Sequence, residues 1–136
     1  MSDLDLTDPT AATLTELARA IRAGKLSPVA LTRAYLERIA RLDGTLRAYI
    51  TVDADGALAA AAPLEGEAAP GAWRGPLHGV PLAHKDLCLI PGLPTSCGTL
   101  TGDYFVGAPP CTAVARLVAA GAITLGKLNM TELALG

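Results

Sequence analysis

The sequence has 136 residues, 51% of them hydrophobic and 18% charged, with a formal net charge of -2. That is enough chain for one core, too apolar for a disordered segment, and too evenly charged for an electrostatic nucleic-acid binder. Much of the apolar content is alanine, and no run reaches the roughly 18 uninterrupted apolar residues of a membrane-spanning helix, so no direct contact with nucleic acid or membrane is expected.

The first ten residues, MSDLDLTDPT, are acidic and lack the basic-then-apolar pattern of a secretory signal, which makes a cytoplasmic location the expectation. Thr13-Leu14-Thr15-Glu16 reads as a capping box, and Leu14, Leu17, Ala18 and Ile21 follow at helical spacing until Gly24. A second helix opens at Ser27-Pro28, with Leu31, Tyr35, Ile39 and Leu42 as its apolar stripe and Gly44 as its stop. The stretch from Arg47 to Val52 reads as a strand. Asp53 to Ala62 is alanine-rich and helical, and the following PLEGEAAPGAWRGP reads as a surface loop because of its prolines and glycines.

A short strand candidate runs from Gly79 to Ala83, and an irregular loop is expected from Pro91 to Phe105. Ala113 to Ala120 forms a helix with Val114, Leu117 and Val118 on one face and Gly121 as its stop. Ala122 to Leu125 reads as a compact apolar strand. This order of elements predicts an α/β chain: N-terminal helices, then part of a mixed, largely parallel sheet with covering helices. About three strands are visible, and the apolar pattern of Met130, Leu133 and Leu135 has scarcely begun at Gly136. The expectation is therefore that residues 1–136 are the N-terminal part of a larger domain.

Cys88, Cys97 and Cys111 are odd in number and widely spaced, which predicts reduced thiols and no disulfide framework. Together with His78 and His84 they show no zinc-ligand spacing, so no metal is expected. The chain contains neither G-x-G-x-x-G nor a P-loop, and no cofactor is expected.

Lys85 is the residue whose setting asks for an explanation. It follows an apolar run at the carboxyl end of a predicted strand, where open α/β sheets place ligand sites. A surface lysine with its charge in water is the bland account. The sharper account is an amine desolvated by apolar neighbours and able to act as a base. Asp86 would oppose that if it faced the amine, so its carboxylate is expected to turn elsewhere, towards backbone amides of the loop that follows.

GPLHGVPLAHKDL, then PGLPTSCGT, then AVARLVAAGAITLGKLNMTELALG together resemble the N-terminal part of the amidase signature family of amide hydrolases. The resemblance runs from the paired N-terminal helices to Gly136. It implies an incomplete amidase-signature fold, with the Gly/Ser-rich segment of the C-terminal remainder absent from residues 1–136. It also implies cleavage of a carboxamide C–N bond, with Lys85 as the catalytic base. In that family a serine nucleophile is activated by a second serine in a cis peptide linkage, which passes its proton to the lysine. Ser2, Ser27 and Ser96 do not match those serines, and Ser96 reads as loop structure. Cys111 stands where the family commonly has an aspartate before a helix. Lys127, Asn129, Met130 and Glu132 belong to the second matching segment and read as support for the site.

The implied substrate is a small-molecule amide, and the implied partners are amidotransferase subunits or a second copy of the chain. Two other accounts stay open from the residues: a catalytically inactive product or scaffold module of the same family, and a Schiff-base lysine at position 85.

Overall fold

The computed structural model describes residues 7–68, 71–101 and 109–135. Expectations touching residues 1–6, 69–70, 102–108 and 136, including the end of the predicted loop at Phe105, lie outside them.

Helix α1, Leu14–Arg22, begins as its sequence requires. The Thr13 hydroxyl accepts from the Glu16 amide, and the Glu16 carboxylate accepts from the Thr13 amide. Helix α2, Pro28–Leu46, is capped by Ser27, whose hydroxyl accepts from the Ala30 amide at 3.0 Å. It runs two residues past Gly44, the predicted stop, and ends on Arg47 in the left-handed region with φ 48. Gly44 has open space where a Cβ would stand, so nothing at that position forces a break. The Asp43 carboxylate ends the helix instead, accepting from the amides of Ala48 at 2.7 Å and Tyr49 at 3.1 Å. Strand β1 is consequently shorter than predicted, Tyr49–Val52.

Helix α3, Ala54–Ala68, overruns its predicted end and contains Pro63. Proline costs one intrahelical hydrogen bond and crowds the preceding turn. The turn beyond it is held by tertiary contacts: Leu64 is buried, its carbonyl accepts from the His78 ring at 2.8 Å, and Glu65 and Glu67 bond Ser27 and Arg74. Burial of Leu64 thus overrides the local signal of the proline.

Strand β2 is Pro81–Lys85, two residues later than predicted, because Gly79 sits at φ +77 and lies outside extended geometry. Helix α4, Thr112–Ala119, is as expected in extent. Its predicted apolar face is uneven, with Val114 buried and Val118 43% exposed. Cys111 occupies its N-cap and makes no side-chain capping bond. Strand β3 extends to Ile123–Leu128, three residues beyond the predicted end. The segment after it forms a single 3-10 turn, Glu132–Ala134, with Leu133 at φ 52, and not the opening of an α-helix.

The sheet order is β1-β3-β2, with β3 antiparallel to β1 and parallel to β2. The result is the expected mixed sheet. One core cluster packs Ala57, Ala61 and Leu64 of α3 on Ile123 and Leu125 of β3. A second joins Leu17 and Ile21 of α1, Leu31 of α2 and Val80, and Tyr35 touches both clusters.

The pairing of β2 with β3 shifts by one residue between Leu82 and His84, which leaves an extra residue on β3 before Lys127. Gly126 lies in that bulge at φ +149, and a Cβ there would stand 2.2 Å from the Thr51 carbonyl oxygen. A bulge changes the phase of side-chain alternation. Ile123 and Leu125 pack on α3, whereas Lys127 reaches the loop around Thr95.

Gly126→Ala is therefore expected to lower stability by about 2 to 4 kcal/mol, from strain and overlap with Thr51. Gly44→Ala, in open helical space, is expected to raise it by about 0.5 to 1 kcal/mol. Urea unfolding midpoints of the two variants check both signs; equal shifts would contradict the bulge geometry.

Candidate active site

Lys85 and Asp86 are neighbours at the end of β2 and have opposite surroundings. Successive side chains of a strand point to opposite faces. Lys85 is exposed, and its Nζ donates to the Asn129 carbonyl oxygen at 3.0 Å. Asp86 is 1% exposed and faces inward.

The inward carboxylate is fully engaged. Its Oδ1 lies 3.0 Å from Lys127 Nζ, both side chains being essentially out of solvent. Its Oδ2 accepts from the Ser96 amide at 3.0 Å, the Ser96 hydroxyl at 2.5 Å and the Gly98 amide at 3.3 Å. Asp86 does turn to amides of the following loop, as expected, and Ser96 is a structural member of that loop. Lys127 completes its own donor set with the Pro94 carbonyl at 3.1 Å and the Thr95 hydroxyl at 2.7 Å. Burial alone would raise the Asp86 carboxyl, but the donors from Ser96, Lys127 and Gly98 outweigh it and hold the group below the ordinary carboxylate range.

This cluster welds the 94–98 loop to the ends of β2 and β3. Sequence reasoning placed Lys127 in a supporting segment but did not see its partner. The available signal was a lysine enclosed by apolar residues in AITLGKL, which in a sheet must find a counter-charge. Nearby, burial and then the Lys127 charge push His84 below its usual value, and its Nε2 lies 3.3 Å from the Thr124 hydroxyl.

On the other side, Asn129 fixes what Lys85 meets. The Asn129 amide donates to the Ala48 carbonyl at 2.8 Å, its side-chain nitrogen to the Arg47 carbonyl at 3.2 Å, and its Oδ1 accepts from the Met130 amide at 2.9 Å. The end of α2, the start of β1 and the end of β3 thus converge on one asparagine. Lys85, Arg47, Asn129, Met130 and Thr131 line an open recess of about 500 Å³. Here a side-chain amine stands at the carboxyl end of a parallel strand, oriented by one carbonyl and open to an incoming group.

Lys85 is not wrapped in apolar atoms by the described residues, which differs from the desolvated setting expected for it. Its strand lies at an edge of the sheet, and of the residues before it Pro81 and His84 are buried while Leu82 and Ala83 are half-buried. Among the described residues no group of three or more His, Cys, Asp or Glu side chains is placed to hold a metal. No helix among them is long and apolar enough to cross a membrane.

The Amidase family model matches residues 30–136. The A-type subunit of glutamyl-tRNA(Gln) amidotransferase from Aromatoleum aromaticum is 48% identical over 125 residues, covering 92% of this chain and 25% of that protein. Its namesake from Acidothermus cellulolyticus is 44% identical over 124 residues, covering 91% and 25%. The crystal structure of a peptide amidase from Stenotrophomonas maltophilia superposes with a TM-score of 0.83 at 42% identity, over 91% of this chain and 26% of its own. The chain spans about a quarter of the length of these relatives.

Removing either member of the buried pair leaves an uncompensated charge, so Lys127→Met and Asp86→Asn are each expected to cost about 3 to 5 kcal/mol. The double variant should cost clearly less than the sum, and strict additivity in urea unfolding would show that the two groups are not coupled. The pH dependence has a definite sign. A carboxyl whose folded value lies below its unfolded value, about 3.9, contributes stability above that value and loses it as pH falls through the folded one. Stability should therefore decline below about pH 4, and Asp86→Asn should flatten that acid limb; an unchanged limb in the variant would assign the effect to other carboxyls.

Proposed function

Because the chain belongs to the amidase signature family, we propose that it supplies the base of an amidase-type hydrolase cleaving linear carboxamides, with Lys85 in that role. The observation that carries the reading is the position of Lys85. Its Nζ stands at the carboxyl end of β2, over an open recess, with a single carbonyl fixing its direction.

The chemistry follows from what an amine can do there. A neutral Lys85 would take the proton of the second, cis-linked serine, which in turn accepts that of the nucleophilic serine hydroxyl as its oxygen attacks the amide carbon. The resulting ammonium would return a proton to the departing nitrogen, leaving an acyl-enzyme that water hydrolyses. Residues 1–136 contain no Gly/Ser-rich run, so the serines, and the backbone donors for the oxyanion, are assigned to another segment. That segment would also cover the recess and strip water from Lys85, which the exposed setting here leaves undone.

Asp86 supports this division of labour. Its charge is met by Lys127 and three loop donors, so it does not pair with the amine beside it. Asn129 holds the amine and takes no part in bond making.

The substrate class is a carboxamide, as the names of both the peptide amidase and the amidotransferase subunits suggest. Those names also make the other subunits of an amidotransferase part of the proposal, as partners. A stand-alone amidase and a component of an amidotransferase would share the proton transfer and differ in where the released ammonia goes.

In the enzyme containing this segment, Lys85→Met is expected to lower kcat/KM for amide hydrolysis by about 10³-fold, the range of a lost general base. Because Lys85 is exposed, its loss should shift stability by no more than about 0.5 kcal/mol. Ammonia release measured beside thermal unfolding separates the two effects. Undiminished turnover in a folded Lys85→Met enzyme would sink the assignment.

A further inference from the structure

His84 is the residue of β2 that the site leaves without a task, and it stands against the buried cluster. It is 7% exposed, and the β2–β3 register sets it opposite Lys127. Register partners on neighbouring strands stand about 4.8 Å apart and share a face of the sheet. The next pair along, Lys85 and Leu128, lines the open recess, so His84 and Lys127 lie on the other face. There the Thr124 hydroxyl lies 3.3 Å from His84 Nε2, and Asp86, two positions further along the chain, lies 3.0 Å from Lys127.

A proton on this ring would be a second cation in a space built for one. Lys127 is the charged group among the described residues that bears on His84. The carboxylate of the cluster is already committed: Asp86 Oδ1 faces Lys127, and Oδ2 takes the Ser96 amide, the Ser96 hydroxyl and the Gly98 amide. An imidazolium beside Lys127 therefore meets repulsion and no uncommitted counter-charge.

We propose that His84 is an acid-sensitive latch: by taking up a proton below neutrality it loosens the Asp86–Lys127 pair and releases the 94–98 loop from the end of β2. The release reaches the recess through two contacts. Gly98 packs so closely on Met130 that a Cβ there would stand 3.0 Å from the Met130 carbonyl oxygen, and the Cys97 carbonyl accepts from the Leu133 amide at 2.8 Å. Met130 lines the recess beside Lys85, so the loop that holds the buried pair also backs that wall. His84 would act in this way whatever the role of Lys85.

Burial, and then the Lys127 charge, hold His84 below its ordinary value of 6.5. A histidine lowered by folding contributes stability that is whole above its unfolded value and is lost as pH falls from there through the folded one. One proton changes the unfolding constant by up to about tenfold per pH unit. The loss sets in above the limb assigned to Asp86, which begins near pH 4.

The test follows two exchange reactions of the protein by mass spectrometry between about pH 7.5 and 5: that of the imidazole C2 hydrogens, and that of the amides in the peptide spanning residues 94–98. The expected result is a His84 midpoint below 6.5, with loop uptake, corrected for the intrinsic pH dependence of exchange, rising along the His84 curve. His78 is the internal control, because its ring is held elsewhere, by the Arg74 amide at Nδ1 and the Leu64 carbonyl at Nε2. His84→Gln keeps a side chain able to bond Thr124 but takes no proton; it should abolish the rise in uptake and flatten the urea midpoint over the same interval. A His84 midpoint at or above 6.5, uptake that stays flat or follows His78, or a rise that persists in His84→Gln would each overturn the proposal. Where His84→Gln fails to fold, the two exchange curves of the unsubstituted protein decide the matter.

Discussion

The ion pair between Asp86 and Lys127 is the constraint on which the rest of the site depends. Two opposite charges with almost no solvent contact are a costly arrangement, tolerable only when every remaining lone pair and proton is satisfied. Here they are: the carboxylate takes three donors besides the ammonium, and the ammonium takes two acceptors besides the carboxylate. Satisfying that inventory dictates the path of the 94–98 loop, which must bring a serine, a glycine amide, a threonine hydroxyl and a carbonyl to one point. The loop is irregular in dihedral terms, with Cys97 at φ 54 and Gly98 at φ 73, because the charge pair and not a repeating ladder sets its shape.

The same pair depends on a defect in the sheet. Without the extra residue on β3, regular alternation would send Lys127 towards the face where Ile123 and Leu125 pack on α3. A lysine among Ala57, Ala61 and Leu64 would have no counter-charge. The bulge at Gly126 turns it to the loop side, and only a residue without Cβ permits the bulge, because the Thr51 carbonyl occupies the place a side chain would need. The glycine, the bulge and the buried lysine are thus one device spread over consecutive positions.

Local signals were legible where one residue did the work. Thr13 and Ser27 announced two helix starts because a capping hydroxyl acts within three residues, and α4 appeared from its spacing alone. Elements governed by distant contacts were misjudged. Gly44 and Pro63 looked like stops, yet the Asp43 carboxylate and the burial of Leu64 decided where the helices end. The strand at Ile123 appeared to end before Gly126-Lys127, since a glycine followed by a lysine resembles a turn until the lysine's partner is known. Within the candidate site, the place of Lys85 at the carboxyl end of a strand and the turning away of Asp86 could be read from position and charge. Lys127 could not be matched with Asp86 across 41 positions of sequence by any local rule.

Strand geometry gives a reason for two charged residues to stand together at the end of β2. In a strand their side chains must part, so adjacency in sequence guarantees separation in space. A Lys-Asp dipeptide at this point delivers an amine to the recess and a carboxylate to the interior from a single stretch of backbone. The interior half ties β2 to β3 and the loop; the outer half inherits that rigidity without sharing its hydrogen bonds. Asn129 then supplies, from the end of β3, the carbonyl that orients the amine, and its own anchors at Arg47 and Ala48 tie it to the far strand. The amine's position is therefore set by all three strands, while its one described bond leaves it open to whatever enters the recess.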